Sequence, residues 1–236
     1  MTTTVGIAGI TGKFARILAS HLLKHSDIST RGYCRNASKV SAPLTSSSQV
    51  QIIQGEAFDK ERIRTFVVCC YLGDDNLMLE GQKVLIDACE ENKFGQLFVK
   101  DPMKHVKAYL ETKHNVKGVH ILIGGFMDPV FSPFFNIPGP MSAIFRYWGE
   151  GDEVWEGTSY DNAAEYIAAV ARDPTAVGIQ KFVGGRSSVC SVAESFRKIY
   201  KVKPTLERLG SLEDLHKRMH ALREEDPANV FQYMSL

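Results

Sequence analysis

The sequence has almost no charge of one sign to spare. Its 28 lysines and arginines face 27 aspartates and glutamates, a formal net charge of +1 at pH 7. That balance leaves no long-range field to steer the chain onto nucleic acid or an anionic membrane surface, so neither is an expected partner. Long hydrophobic runs are also missing, and no apolar stretch approaches the length needed to cross a bilayer. The N-terminal MTTTVGIAGI lacks a basic segment and runs straight into a strand, which argues against a signal peptide. Cysteine is sparse: Cys34, Cys69, Cys70, Cys89 and Cys190 are odd in number, and none falls in a CxxC pair. They read as small apolar residues of a protein kept in a reducing cytosol.

Other absences narrow the chemistry. There is no G-x-S-x-G, which excludes the nucleophile elbow of a serine hydrolase. His105, His114 and His120 lack the i, i+4 spacing of a helical zinc pair, so no metal is expected from them. No serine stands between Ser48 and Ser132.

What is present is an alternation of strands and helices. With 236 residues, 44% hydrophobic and 23% charged, the chain can bury an ordinary α/β core. Short β runs at Val5–Ala8, Arg31–Cys34, Val50–Gln54, Val67–Tyr71 and Val119–Ile123 alternate with helical periods at Lys13–Lys24, Lys60–Thr65, Asn76–Asn92 and about Asp101–Lys113. That order predicts a doubly wound parallel Rossmann sheet with helices on both faces. It sets a nucleotide-binding domain over 1–126. After Met127 the proline- and aromatic-rich MDPVFSPFFNIPGP has no clean period. It suits either a loop over a ligand crevice or a packed surface loop. Helices at Asp161–Arg172, Val189–Tyr200 and Ser211–Arg223 and a strand at Lys181–Val183 follow, and residues 127–236 are expected to form a small C-terminal α/β substrate lobe.

The first strand-to-helix turn, VGIAGITGKFARILASHLL, carries Gly6, Gly9 and Gly12 three apart. A glycine turn that feeds a helix N-terminus offers backbone N–H groups and the positive end of the helix dipole to a phosphate. The spacing G-x-x-G-x-x-G also serves a tight turn with no ligand. Its place after an N-terminal strand, inside a βαβ unit, favours a dinucleotide pyrophosphate facing the backbone of Ile10, Thr11, Lys13 and Phe14. An NAD site carries an acid about twenty residues on, at the end of the second strand. Here RGYCRNASK has none, and Arg35 and Lys39 instead offer cations to a 2′-phosphate. The cofactor expected is therefore NADP(H); the plain alternative is two solvated loop cations.

These stretches resemble the NmrA-like and isoflavone-reductase-like branch of atypical short-chain dehydrogenases. GIAGITGKFA resembles its glycine loop, YCRNASK its 2′-phosphate segment and CCYLGDDNLMLEGQKVLIDACEE its fourth strand and next helix. KDPMKHVKAYLE, VHILIGGFMDP and TSYDNAAEYIAAVARDP resemble later landmarks, most closely those of fungal members. The resemblance spans nearly the whole chain and implies a Rossmann fold, a substrate lobe and NADPH-linked reduction of a small substrate, often in secondary metabolism. Some members bind the dinucleotide as sensors or regulators. The connection ENKFGQLFV is shorter than the strand and serine-bearing segment the family places there, and the join at Arg64–Val67 is short as well.

Reduction of a carbonyl or enone needs hydride from the nicotinamide and a proton donor near the developing anion. Tyr109 and Lys113 in YLETK have Tyr-x-x-x-Lys spacing, which also arises by chance. The resemblance implies a lysine near the start of this helix, and Lys104 is nearest, although strict alignment puts Met103 there. The plain reading of Lys104 is a solvated helix lysine. Tyr71 and Gly73 are expected to line the path from adenosine to nicotinamide. Gly125 and Phe126 are expected to face nicotinamide and substrate. Asp161 reads as a helix-capping or first-turn acid.

Overall fold

The computed structural model describes residues 3–59, 80–91, 96–99, 104–130, 144–226 and 232–233. They fall into two compact units, 1–122 with 160–182, and 123–159 with 183–236.

In the first unit, β1 (Thr3–Ala8), β2 (Ile28–Cys34) and β3 (Val50–Gln54) form a parallel sheet in the order β1-β2-β3. Successive side chains of a strand point to opposite faces, and the end of β1 shows it. Ile7 joins a buried cluster with Leu18, Ala19 and Leu22 of α1 (Lys13–Leu22). Its neighbour Ala8 joins Tyr33, Leu85 and Ala88 on the other face, against α3 (Gln82–Glu91), the helix after the short α2 (Ala42–Thr45). A strand buried on both faces and covered by helices is the signature of a doubly wound sheet. A second parallel sheet runs in the order β4-β5-β9, from β4 (Gln96–Val99), β5 (Lys117–Leu122) and β9 (Gly178–Lys181). Between β4 and β5 lies α4 (Lys104–Glu111).

Two differences from the sequence expectation arise here. The connection ENKFGQLFV contains a strand after all: β4 pairs in parallel with β5, Gln96 opposite Lys117 and Val99 opposite His120. Residues 160–182, expected in the C-terminal lobe, belong to the first unit. Their helix, α6 (Tyr160–Ala171), presents Ala164, Ala168 and Ala171 to the core cluster of α1. Small residues at helical spacing allow two helices to approach closely, and chain order does not reveal this.

The second unit is built from short strands. β6 (Gly125–Phe126), β8 (Trp155–Thr158) and β10 (Gly185–Ser187) form one sheet, with β8 central. β7 (Ile144–Trp148) pairs in parallel with β11 (Thr205–Gly210). α5 (Met127–Val130) occupies the start of the proline-rich segment; residues 131–143 lie outside the described set. The fully buried Thr158 hydroxyl donates to the Ile123 carbonyl (2.7 Å) and accepts the Gly184 N–H (3.0 Å). α7 (Val189–Tyr200) is capped by Ser188, and α8 (Leu212–Glu225) opens with a reciprocal Ser211–Asp214 capping box.

Cys34 and Cys89 are buried, in keeping with their reading as small apolar residues, and burial pushes the Cys89 thiol up to about 12. Cys190 is exposed, and Cys69 and Cys70 lie outside the described residues. Among the described residues no helix is long and apolar enough to cross a membrane.

Candidate functional site

The glycine loop is held from beneath and open above. Gly9 adopts φ +70°, in the left-handed region, and a Cβ there would meet nothing within 4 Å. Gly12 is the N-cap residue of α1 in extended backbone, and its N–H donates to the Gly9 carbonyl at 2.8 Å. A Cβ on Gly12 would stand 3.2 Å from that carbonyl oxygen, so the turn is tight enough to favour glycine. No side chain caps α1, and its first turn contains no acid. The first-turn amides of Lys13 and Ala15 have no acceptor inside the helix. The N-terminal end of α1 thus keeps its partial positive charge for an anion.

The loop is joined to the end of β2. The N–H groups of Gly9 (2.8 Å) and Ile10 (3.2 Å) both donate to the Tyr33 carbonyl. This corrects one expectation: the Ile10 amide is spent inside the protein and does not face a phosphate. Ile10 is instead the anchor. Its side chain is fully buried and lies over Gly32 of β2, where an added Cβ would come within 2.3 Å of its Cδ1. Gly6 is buried within β1, opposite Arg31 of β2, and serves the sheet. Thr11 is half-buried, Lys13 is exposed with its Nζ 5.1 Å from the centroid of the Tyr160 ring, and the half-buried Phe14 packs on the same ring at 5.8 Å.

Arg35 follows β2 directly, two residues beyond the carbonyl that holds the loop. Arg35 and Lys39 are both exposed, and neither side chain makes an ion pair or hydrogen bond among the described residues. The backbone between them is fixed. The Asn36 side chain accepts from the Ser38 N–H at 2.9 Å, and Gln54 of β3 accepts from the Ala37 N–H at 3.0 Å. The structure therefore brings Gly9, Gly12, Lys13 and the Arg35 segment to the same ends of β1 and β2. The acid that would hold a ribose hydroxyl in an NAD site is absent from this turn.

The remaining expected residues are distributed differently. Tyr71 and Gly73 lie outside the described residues. Gly125 and Phe126 form β6 in the second unit, paired with Gly157 and Thr158 of β8. Lys104 opens α4, and its side chain is not among those described. Tyr109 and Lys113 do share a face, and that face meets α3. The Tyr109 hydroxyl donates to Asp87 at 2.7 Å and the Lys113 ammonium to the same oxygen at 2.8 Å. The Lys113 charge also lies 4.1 Å from the Tyr109 ring centroid. Burial works against that charge, but its bonds to Asp87 and Tyr109 outweigh burial and hold the Lys113 pKa above the usual lysine value. Three residues on from Asp87, Glu90 accepts the backbone N–H groups of His114 (2.9 Å) and Asn115 (2.8 Å). Tyr109 and Lys113 are thereby committed to the α3–α4 seam.

Asp161 stands in the first turn of α6, as expected, and also binds the buried His21 of α1 at 2.7 Å. That hydrogen bond holds the Asp161 carboxyl below its ordinary value.

A parallel sheet covered on both faces, with a glycine turn into an uncapped helix, defines a Rossmann-type α/β fold, and comparison with solved structures agrees. No protein-family model and no curated protein matches the sequence. The chain is similar to Citrobacter sp. triphenylmethane reductase complexed with NADP(H), at 14% identity and TM-score 0.72, over 98% of this chain and 90% of that one. It is similar to NmrA, a negative transcriptional regulator, at 12% identity and TM-score 0.71, over 89% of this chain and 75% of that one. It is also similar to isoflavone reductase, at 17% identity and TM-score 0.67, over 93% and 82% of the two chains. Sugar-nucleotide epimerases share the fold as well. The neighbours thus include both proteins that give the family resemblance its name. At these identities the likeness establishes the fold, and function must be argued from the site.

Proposed function

We propose that the protein binds NADP(H) and is an NADPH-dependent reductase of a small, largely apolar carbonyl or enone substrate. The observation that carries this is the joining of the open, uncapped loop of α1 to an exposed, unpaired Arg35 at the end of β2. The residues present fit the cofactor. The Lys13 and Ala15 amides and the helix dipole suit the pyrophosphate, Gly9 leaves room for its approach, and Arg35 with Lys39 suits the 2′-phosphate. Solved neighbours that carry NADP(H) support the reading. The bound nicotinamide would supply hydride. Lys104, at the start of α4, is assigned to donate a proton to the developing oxyanion. Tyr109 is left out of the chemistry because its hydroxyl already donates a hydrogen bond to Asp87.

That same commitment favours a second reading. With no serine between Ser48 and Ser132 and Tyr109 spent on the helix seam, the chain could bind NADP(H) without redox turnover, as a redox-sensing regulator or an isomerase built on the fold. The two readings part in one experiment. NADPH absorbance is followed while a panel of aromatic and polyketide-like ketones and enones is supplied to the wild type and to Lys104→Ala. The reductase reading expects consumption by the wild type, with loss of turnover and retained NADPH binding in Lys104→Ala. NADPH binding with no consumption across the panel overturns it in favour of the non-redox reading.

A further inference from the structure

The sequence does contain a histidine pair at i, i+4, in the second unit. His216 and His220 lie one turn apart on α8, both exposed, with Nε2 atoms 3.1 Å from one another. Their ring centroids are 4.4 Å apart and the ring planes meet at 64°. Side chains four apart on a helix lie one above the other, which is what brings the rings together.

Two imidazole nitrogens that share one zinc-class ion at about 2.0–2.1 Å each stand roughly 2.9–3.4 Å apart, as the angle at the ion opens from square to tetrahedral. The separation found here, that of a hydrogen bond between the two Nε2 atoms, lies inside that window, so an ion would take the place of the proton between the rings. Nearby charges do not block it. Lys217, between the two histidines in sequence, is drawn to Glu213 at 2.7 Å, and the Asp214 carboxylate is engaged in the helix cap with Ser211. Imidazole suits Zn2+, Ni2+ and Cu2+ rather than the hard cations Mg2+ and Ca2+.

We propose that His216 and His220 form a two-imidazole site for a borderline divalent cation on the exposed face of α8. Among the described residues no group of three or more His, Cys, Asp or Glu could hold a metal, so the protein supplies two ligands and water completes the sphere. The ion would also clip successive turns of a helix that has no buried residue of its own.

The test uses the full chain, stripped with chelator, titrated calorimetrically with CuCl2, NiCl2 or ZnCl2 at about pH 7.5, because protons compete with the metal for imidazole ligands at lower pH. The variants are His216→Ala and His220→Ala, with His114→Ala as a control. The proposal expects one ion per wild-type chain, with Cu2+ held most tightly as the general order for nitrogen ligands requires. It expects at least about tenfold weaker binding in either α8 variant and unchanged binding in the control, in keeping with loss of one of two chelating ligands. In parallel, NiCl2 should raise the melting temperature of the wild type and not that of His220→Ala. A loss smaller than tenfold in both α8 variants, or an equal loss in His114→Ala, overturns the proposal. Should His220→Ala prove unfolded by circular dichroism, His220→Asn takes its place under the same criteria.

Discussion

Replacing Gly32 with alanine asks whether the glycine loop is positioned from below. A Cβ on Gly32 would stand 2.3 Å from Ile10 Cδ1, 2.9 Å from Ile10 Cγ2 and 3.0 Å from Ile52 Cδ1. Rotation about χ2 can move Cδ1 away. Cγ2 branches from Cβ, and χ1 of isoleucine is stiff, so the second clash moves the residue itself. Ile10 is fully buried, and its N–H is tied to the Tyr33 carbonyl, so moving it moves the loop. Overpacking of this kind costs about 1–3 kcal/mol. Alanine regains about 0.5–1 kcal/mol over glycine in extended backbone. The balance is a loss centred on about 1 kcal/mol, or about 2–4 °C in melting temperature for a chain of this size. Ile10→Ala alone leaves a cavity and costs about 2–5 kcal/mol. In the double variant the Gly32 Cβ occupies part of that cavity, so urea unfolding should give a cost below the sum of the single costs by about 1 kcal/mol or more. Additivity within about 0.5 kcal/mol would refute the idea that Ile10 over Gly32 holds the loop.

Two other predictions concern the α3–α4 seam. Tyr109→Phe removes the hydrogen bond to Asp87 and should lower unfolding stability by about 1 kcal/mol while sparing any NADPH turnover. A fall in turnover of about a hundredfold or more, with stability intact, would instead make Tyr109 the proton donor. The amides of His114 and Asn115 hold the Glu90 carboxyl below its usual 4.5. Because the folded value is depressed, Glu90 stabilises the protein above about pH 4.5 and ceases to do so as pH falls through the folded value. Denaturation midpoints should therefore fall less steeply on acidification in Glu90→Gln than in the wild type. Parallel acid limbs would contradict this.

The first unit was largely legible because its signals are local. The strand at Val5–Ala8, the glycines that follow it and the periodic apolar face of α1 lie within twenty residues, and Arg35 closes the unit at the end of β2. What escaped depends on partners distant in sequence. Asp87 accepts from Tyr109 and Lys113, 22 and 26 residues away, and only the packing of α3 on α4 brings them together. α6 joins the first unit through an alanine face that chain order assigns elsewhere. The strands of the second unit were missed because they are short and two of them are largely exposed. β11 reads TLERLG with hardly a buried residue, and β10 is GRS, so neither shows the alternation that marks a half-buried strand. The four-residue β4 was hidden by its length. The Ile10 amide was assigned to a phosphate because periodicity carries no record of which carbonyl an N–H has already found.

The claim that NADP(H) sits on the α1 loop with its 2′-phosphate on Arg35 is tested most directly by fluorescence titration of NADPH and NADH into the wild type and Arg35→Ala. The account predicts tighter binding of NADPH than NADH by the wild type. In Arg35→Ala, NADPH affinity should fall about 10- to 100-fold, the value of a charge-assisted bond of about 1.5–3 kcal/mol, with NADH binding little changed. Equal losses for both dinucleotides, or a wild type that binds neither, would contradict it.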